Sequence, residues 1–309
     1  MTSELKAGNM GTSATRRRSR SRRREIFWAL VFLTPAIIAL LVLRIAPAVS
    51  AIWSSMYKGF PGGIIPATFA GIHNYKLLFG DPNFIRTILR TIMFNVVINP
   101  VQVVLALLIA VLMTQRIKLP GVWRTLIFVP VTIPIVGSSI AWGAILNPQG
   151  PINALLSAFG GNPQPFFTSP KQAIASIIVV ASWIGIGYWM VFLIAGIQAI
   201  PTELYEAAYL DRVGPLRLFF QITIPLVKRS LLFVLVADTV ANFVLFVPIQ
   251  LLTDGGPQNS TTLLMFDAFR TSYEYGSRNL GAAEVTILTL VMLVFVLLQF
   301  RLLGKEDDN

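Results

Sequence analysis

Residues 206–227 read EAAYLDRVGPLRLFFQITIPLV, and the fold turns on how this stretch is placed. Long apolar runs flank it on both sides, yet it carries Glu206, Asp211, Arg212 and Arg217, with Gly214-Pro215 in its middle. Just upstream the chain reads PTELY. Pro201 suits the first turn of a helix, and Glu203 and Glu206 near that end complement the helix dipole. Leu204, Ala207 and Ala208 fall at i, i+3 and i+4, which predicts one narrow apolar stripe. Gly214-Pro215 predicts the end of the helix. A second short segment over 216–224 leads to Pro225, where the next apolar run opens. The expected element is a helix–turn–helix tethered at both ends by apolar segments.

The flanking runs give the fold class. The chain has 309 residues, of which 55% are hydrophobic and 13% charged, whereas a soluble domain carries about 25% charged residues. Apolar runs near twenty residues long are the signature of membrane-spanning helices. Six are predicted, at 26–55, 85–114, 122–146, 171–199, 226–252 and 280–302. The expected fold is therefore an all-α polytopic membrane protein. The first span is expected to be either long and tilted or bent near Pro47. Pro100, Pro130, Pro134 and Pro248 lie inside later runs, where neighbouring helices or a cavity can satisfy the freed carbonyls.

Lysine and arginine set the orientation. With the N-terminus inside, seventeen basic residues fall in cytoplasmic segments and seven in outer ones; Arg44, near the outer end of the first span, snorkels. N-in and C-in topology follows, and the 206–227 stretch faces the cytoplasm. Residues 1–25, with seven arginines between Arg16 and Arg24, read as a disordered cytoplasmic tail that contacts anionic lipid rather than nucleic acid. Residues 26–302 form the membrane domain and 303–309 a cytoplasmic tail. The run from Ile26 to Leu43 is longer than an ordinary signal-peptide core, so it reads as a retained span.

Several chemistries are excluded. There is no cysteine and only one histidine, His73, so thiolate sites, disulfides and histidine metal sites are ruled out and no metal is expected. His73 reads as a surface or packing residue. The only Gly-Lys pair, Gly304-Lys305, lacks the phosphate-cradling loop of a nucleotide site. No nucleophile, base and metal set converges, so an intramembrane enzyme is not expected.

The stretch Glu206-Ala207-Ala208, followed at the proper register by Ile222-Thr223-Ile224-Pro225, resembles the EAA loop of ABC-importer permease subunits. Gly71-Ile72-His73-Asn74-Tyr75 and Leu252-Thr253-Asp254-Gly255-Gly256-Pro257, with Ser260-Thr261, resemble segments of the sugar-type permeases in the same order. The resemblance covers 26–302. It implies the permease fold, with 200–225 as a coupling loop that docks on a cytoplasmic ATPase through Glu203, Glu206, Ala207, Ala208, Asp211, Arg212 and Gly214. It also implies two ATPase subunits that hold ATP and Mg, a second permease of different sequence, an extracytoplasmic substrate-binding protein, and alternating access. This chain itself would bind no cofactor. In one place the sequence departs from the motif: its glycine falls at Arg212. Either Arg212 adopts a left-handed backbone, or Gly214 takes the turn two residues later.

Polar residues inside spans are functional candidates. Asn95, Asn99 and Gln102 share one face of the second span. Asp238 and Asn242 lie one turn apart in the fifth, and Trp183, Tyr188 and Trp189 in the fourth offer faces for a sugar ring. The alternatives are helix-joining hydrogen bonds for the amides and an interfacial belt for the aromatics. Glu284 is expected at the membrane interface. The rival to an ATP-driven importer of a sugar, polyol or glycerophosphodiester is an ion-gradient transporter or channel built around Asp238, which leaves the charged loop unexplained.

Overall fold

A computed structural model describes residues 12–59, 66, 68–115 and 118–304. Among the described residues, four helices are long and apolar enough to cross a membrane, and up to six spans result if each of two bent helix pairs counts as one. The chain divides into two compact units, one ending at Ser54 and the other beginning at Ser55.

The first unit is helical, with α1 (Thr12–Leu40) and α2 (Ala46–Ser54) joined by a π-helical turn over Leu41–Ile45. The widened turn answers Pro47, which has no N–H and whose ring crowds the carbonyl four residues back. Helix α1 begins at Thr12, where the sequence predicts a disordered tail through residue 25. Arginine is a good helix former, and adding residues to an existing helix avoids the cost of nucleation. Residues 1–11 and 305–309 of the two expected tails lie outside the described residues.

The second unit opens with a small antiparallel pair, β1 (Tyr57–Lys58) and β2 (Thr68–Phe69). Then come α3 (His73–Gly80), α4 (Pro82–Thr114), α5 (Pro120–Thr132), α6 (Ile135–Ile145), α7 (Pro151–Ala158) and α8 (Ala173–Gln198). The charged loop supplies α9 (Thr202–Leu210), α10 (Pro215–Leu218) and α11 (Ile224–Leu226). Helices α12 (Lys228–Phe243), α13 (Val247–Leu252), α14 (Leu264–Phe269) and α15 (Arg278–Leu303) complete it. The spans α4, α8 and α15 match their predicted limits closely. The third does not run straight: α5 and α6 meet at 99° across Ile133-Pro134. The fifth helix stops at Phe243 and resumes as α13, so the run predicted over 226–252 is interrupted at Val244–Phe246. Pro100, by contrast, sits inside an unbroken α4.

The core lies between α4, α8 and α12. Val103, Ala106, Leu107 and Ala110 of α4 pack with Trp189, Met190 and Leu193 of α8 and Val234 of α12. Small residues permit close approach, as expected where lipid removes the hydrophobic drive between helices. A Cβ added to Gly187 would lie 2.3 Å from the Ile127 carbonyl oxygen, so α5 and α8 meet backbone to backbone.

The segments that resemble sugar-type permeases are structural ties. Asn74 Nδ2 donates to the carbonyls of Ser55 (2.7 Å) and Tyr57 (2.9 Å), fixing α3 to the start of the strand pair. In the loop after α13, Thr253 and Thr261 share a hydrogen bond of 2.8 Å, and Thr262 donates to the Gly255 carbonyl at 3.1 Å. Gly255 has φ +77° and lies against the Phe266 ring, where a Cβ would meet ring carbon at 2.6 Å.

Candidate functional site

Two polar constellations stand out. The first is the loop after α8. Helix α9 ends as a Schellman motif: the Val213 N–H donates to the Ala208 carbonyl (2.9 Å), and the Arg212 N–H to that of Tyr209 (3.1 Å). Such a motif requires a left-handed residue, and here it is Arg212 at φ +55°. Gly214 has φ −67°, so the turn is made at the motif's glycine position and not two residues later. A residue with a Cβ is strained there.

Glu203, Glu206, Ala207, Asp211, Arg212 and Gly214 are all exposed. Among the described residues, the side chains of Glu203, Glu206, Asp211 and Arg212 have no hydrogen-bond or ion-pair partner. Ala208 alone of the expected set is buried. Its inward companion is Tyr205, not Leu204: the Tyr205 hydroxyl lies 3.2 Å from Thr223 Oγ1, and Tyr205, like Phe219 and Ile224, packs against the core between α4, α8 and α12. The helix is thus rotated from the predicted stripe, because the larger ring takes the interior position and leaves Leu204 and Ala207 outside. The tip is apolar, with Leu210 85%, Leu216 74% and Tyr209 70% exposed. From Pro215 to Leu226 the chain is helical and includes a π turn at Phe219–Thr223, just before Pro225. It then bends by 72° into α12. Notably, the bend falls at Val227, two residues after the proline.

The second constellation is inside the bundle. Asn95, Asn99, Gln102, Asp238 and Asn242 are all buried. Asn242 Nδ2 donates to Asn99 Oδ1 (2.8 Å) and Gln102 Oε1 (2.9 Å), and Asn99 Nδ2 donates to Thr239 Oγ1 (2.9 Å). Gln299 Nε2 of α15 also donates to Thr239 Oγ1, at 2.7 Å. Trp189 Nε1 of α8 donates to Asp238 Oδ1 at 2.5 Å. Four helices therefore meet through one network centred on α12. Asn95 turns to its own helix and donates to the Thr91 carbonyl at 2.9 Å. Asp238 Oδ2 and Gln299 Oε1 are buried without a hydrogen-bond partner among the described residues.

Thr239 and Gln299 are members of the network not singled out in the sequence. Their signal is faint: Gln299 stands four residues from the end of a long apolar helix, where a polar residue is unremarkable. The Trp189 indole joins the network, whereas Trp183 and Tyr188 are 37% and 42% exposed. Trp183 makes an edge contact with Trp142 of α6 at 5.5 Å, and Tyr188 with Trp189 at 4.8 Å. Glu284, expected at the interface, is buried and accepts from Thr271 Oγ1 at 2.9 Å, because α14 folds back over the start of α15. No group of three or more metal-ligating side chains occurs among the described residues.

Comparison with known proteins places this arrangement. Residues 59–305 match the family model described as "Binding-protein-dependent transport system inner membrane component". The lactose transport system permease protein of Rhizobium radiobacter is 31% identical, over 93% of this chain and 97% of its own length. The trehalose/maltose transport system permease protein of Thermococcus litoralis is 29% identical over the same shares. Among solved structures, a chain of the bacterial alginate ABC transporter, crystallised with an alginate pentasaccharide-bound periplasmic protein, superposes with a TM-score of 0.78. It is 22% identical and covers 92% of this chain and 95% of its own, which is a likeness of fold.

Proposed function

The chain belongs to the family of binding-protein-dependent transport system inner membrane components and is a multi-pass importer permease; from that premise we propose that it moves a sugar or sugar-like solute by alternating access, driven by separate ATPase subunits. The two relatives named for disaccharides support the solute class, which extends to polyols and glycerophosphodiesters. The observation that carries the coupling role is the exposed tip of the 201–226 loop. Leu210 and Leu216, both highly exposed at the tip of a charged loop together with Tyr209, fit a protein-binding surface. Glu203, Glu206, Asp211 and Arg212, unpartnered among the described residues, supply the polar rim.

In this reading the N-terminus, the loop and the C-terminus are cytoplasmic. Two ATPase subunits hold ATP and Mg, a second permease completes the pathway, and an extracytoplasmic binding protein delivers the solute. Trp183 and Tyr188, partly exposed, offer ring faces to the solute. Asn95, Asn99, Gln102, Asp238 and Asn242 act behind them: the network carries α12 with α4, α8 and α15. A pull on α10 and α11 is then passed through the 72° bend into α12. Each nucleotide state has to favour one permease conformation over the other, or no work is done.

The test is purification in mild detergent at native stoichiometry, comparing the natural chain with Glu206→Arg. The expected outcome is co-purification of an ATPase and a second permease with the natural chain, and loss of the ATPase alone from the variant. Identical behaviour of both, with the chain alone or self-associated, overturns the coupling reading.

A further inference from the structure

Docking of the 201–226 loop does not by itself account for Arg212. This residue makes the left-handed turn after α9 at φ +55°, where glycine would be free of strain. No contact of its guanidinium within the described residues offsets that strain. Residues 200–230 hold four basic side chains. Arg217 Nε donates to Gln221 Oε1 at 2.8 Å, and Lys228 and Arg229 also have partners. Arg212 has none among the described residues, although Asp211 is its neighbour in sequence.

The surroundings define the group that Arg212 needs. Tyr209, Leu210 and Leu216, all highly exposed, flank it in the chain. A partner that covers this apolar tip takes water from Arg212 as well. A cation stripped of water without a counter-charge destabilises a complex strongly, so the covering surface has to present an anion. The planar guanidinium favours a carboxylate, which accepts two parallel N–H bonds. An anionic bilayer is the poorer match. Residues 201–226 carry Glu203, Glu206 and Asp211 against Arg212 and Arg217, so acids outnumber bases.

We propose that Arg212 selects the cognate ATPase: the docking surface of that subunit sets an aspartate or glutamate carboxylate against the guanidinium, and a subunit without one is rejected. The strained backbone is then held for a contact made only in the complex. This rests on the coupling reading and adds to it the charge chemistry of the partner.

For the test, the ATPase that co-purifies with the natural chain is identified, prepared separately and titrated onto the permease pair in phosphatidylcholine nanodiscs. Arg212→Gln keeps the Cβ and removes the charge; it should weaken ATPase binding about thirtyfold. Arg212→Gly should weaken it as much, even though the turn relaxes. Arg86→Gln, which removes an exposed basic side chain near the start of α4, should leave binding unchanged. In the Arg212→Lys variant, carbodiimide, which joins amines to carboxylates, should link position 212 to an aspartate or glutamate of the ATPase. Replacing that carboxylate by lysine should restore binding to Arg212→Glu. Unchanged affinity in Arg212→Gln overturns the assignment. So does a loss confined to Arg212→Gly, a crosslink within the permease's own chain, or a requirement for phosphatidylglycerol. If the natural chain binds no ATPase, the coupling reading itself fails. If Glu206→Arg releases the ATPase and Arg212→Gln does not, only the role of Arg212 fails.

Discussion

The 201–226 loop and the network around α12 are both polar islands in an apolar chain, and they are built in opposite ways. In the loop, Glu203, Glu206, Asp211 and Arg212 point outward without partners among the described residues, and the apolar residues of the tip are also exposed. In the network, amide, hydroxyl, indole and carboxylate groups are turned inward and hydrogen-bonded across four helices, with Asp238 Oδ2 and Gln299 Oε1 left without a partner among the described residues. The difference follows from the solvent. A charge in water needs no partner, whereas an unpaired polar group away from water costs free energy. An unpartnered charged surface is thus compatible with docking, and a paired interior with rigid transmission.

This contrast can be broken experimentally. The largest effect is expected for Glu206→Arg, which should abolish ATP-linked uptake in proteoliposomes while leaving the thermal midpoint of the solubilised chain unchanged. A fall in both would mean that the loop is structural. Next is Gly187→Ala, which forces a Cβ against the Ile127 carbonyl and should destabilise the chain by about 2 kcal/mol, read as a lowered denaturant midpoint. Trp189→Phe keeps an aromatic ring but shrinks it and removes the donor to Asp238, so the loss should exceed that of Asn242→Ala, at about 2 kcal/mol. Asn242→Ala breaks two interhelical bonds and strands Asn99 Oδ1 and Gln102 Oε1. A loss of about 1 kcal/mol is expected, with ATPase co-purification retained; loss of the ATPase would show that the network and the loop are not separable. The smallest effect is a gain: Arg212→Gly relieves the left-handed backbone and should stabilise the turn by about 1 kcal/mol or less, seen as slower amide exchange at Val213. No change in exchange would place the strain elsewhere.

Much of the loop was legible in the sequence because its determinants are local. Pro201 at the N-cap, Glu203 in the first turn and Gly214-Pro215 act within a few residues of where they stand. What was missed there is tertiary. The rotation that puts Tyr205 inside brings it to Thr223 and the core, which approach only after the chain has turned. For the network, the sequence named five of the members and neither of two further ones, Thr239 and Gln299. The bond between Asn99 and Thr239 joins residues 140 apart, and no periodicity within one helix reveals its partner on another.

Apolar runs near the bilayer's thickness, with backbone groups satisfied inside each helix, determined the all-α membrane class from sequence alone. Lysine and arginine placement likewise supplied the expected orientation. Tertiary structure alone decided which prolines break their helices. Pro100 is carried in a continuous α4, while Ile133-Pro134 turns the chain by 99°. The residue type is the same; what differs is whether neighbouring helices hold the segment straight or offer the second half a separate surface. The choice between Arg212 and Gly214 was also left open by the sequence. It was settled by the Schellman bonds of α9, whose register fixes the left-handed position whatever residue occupies it.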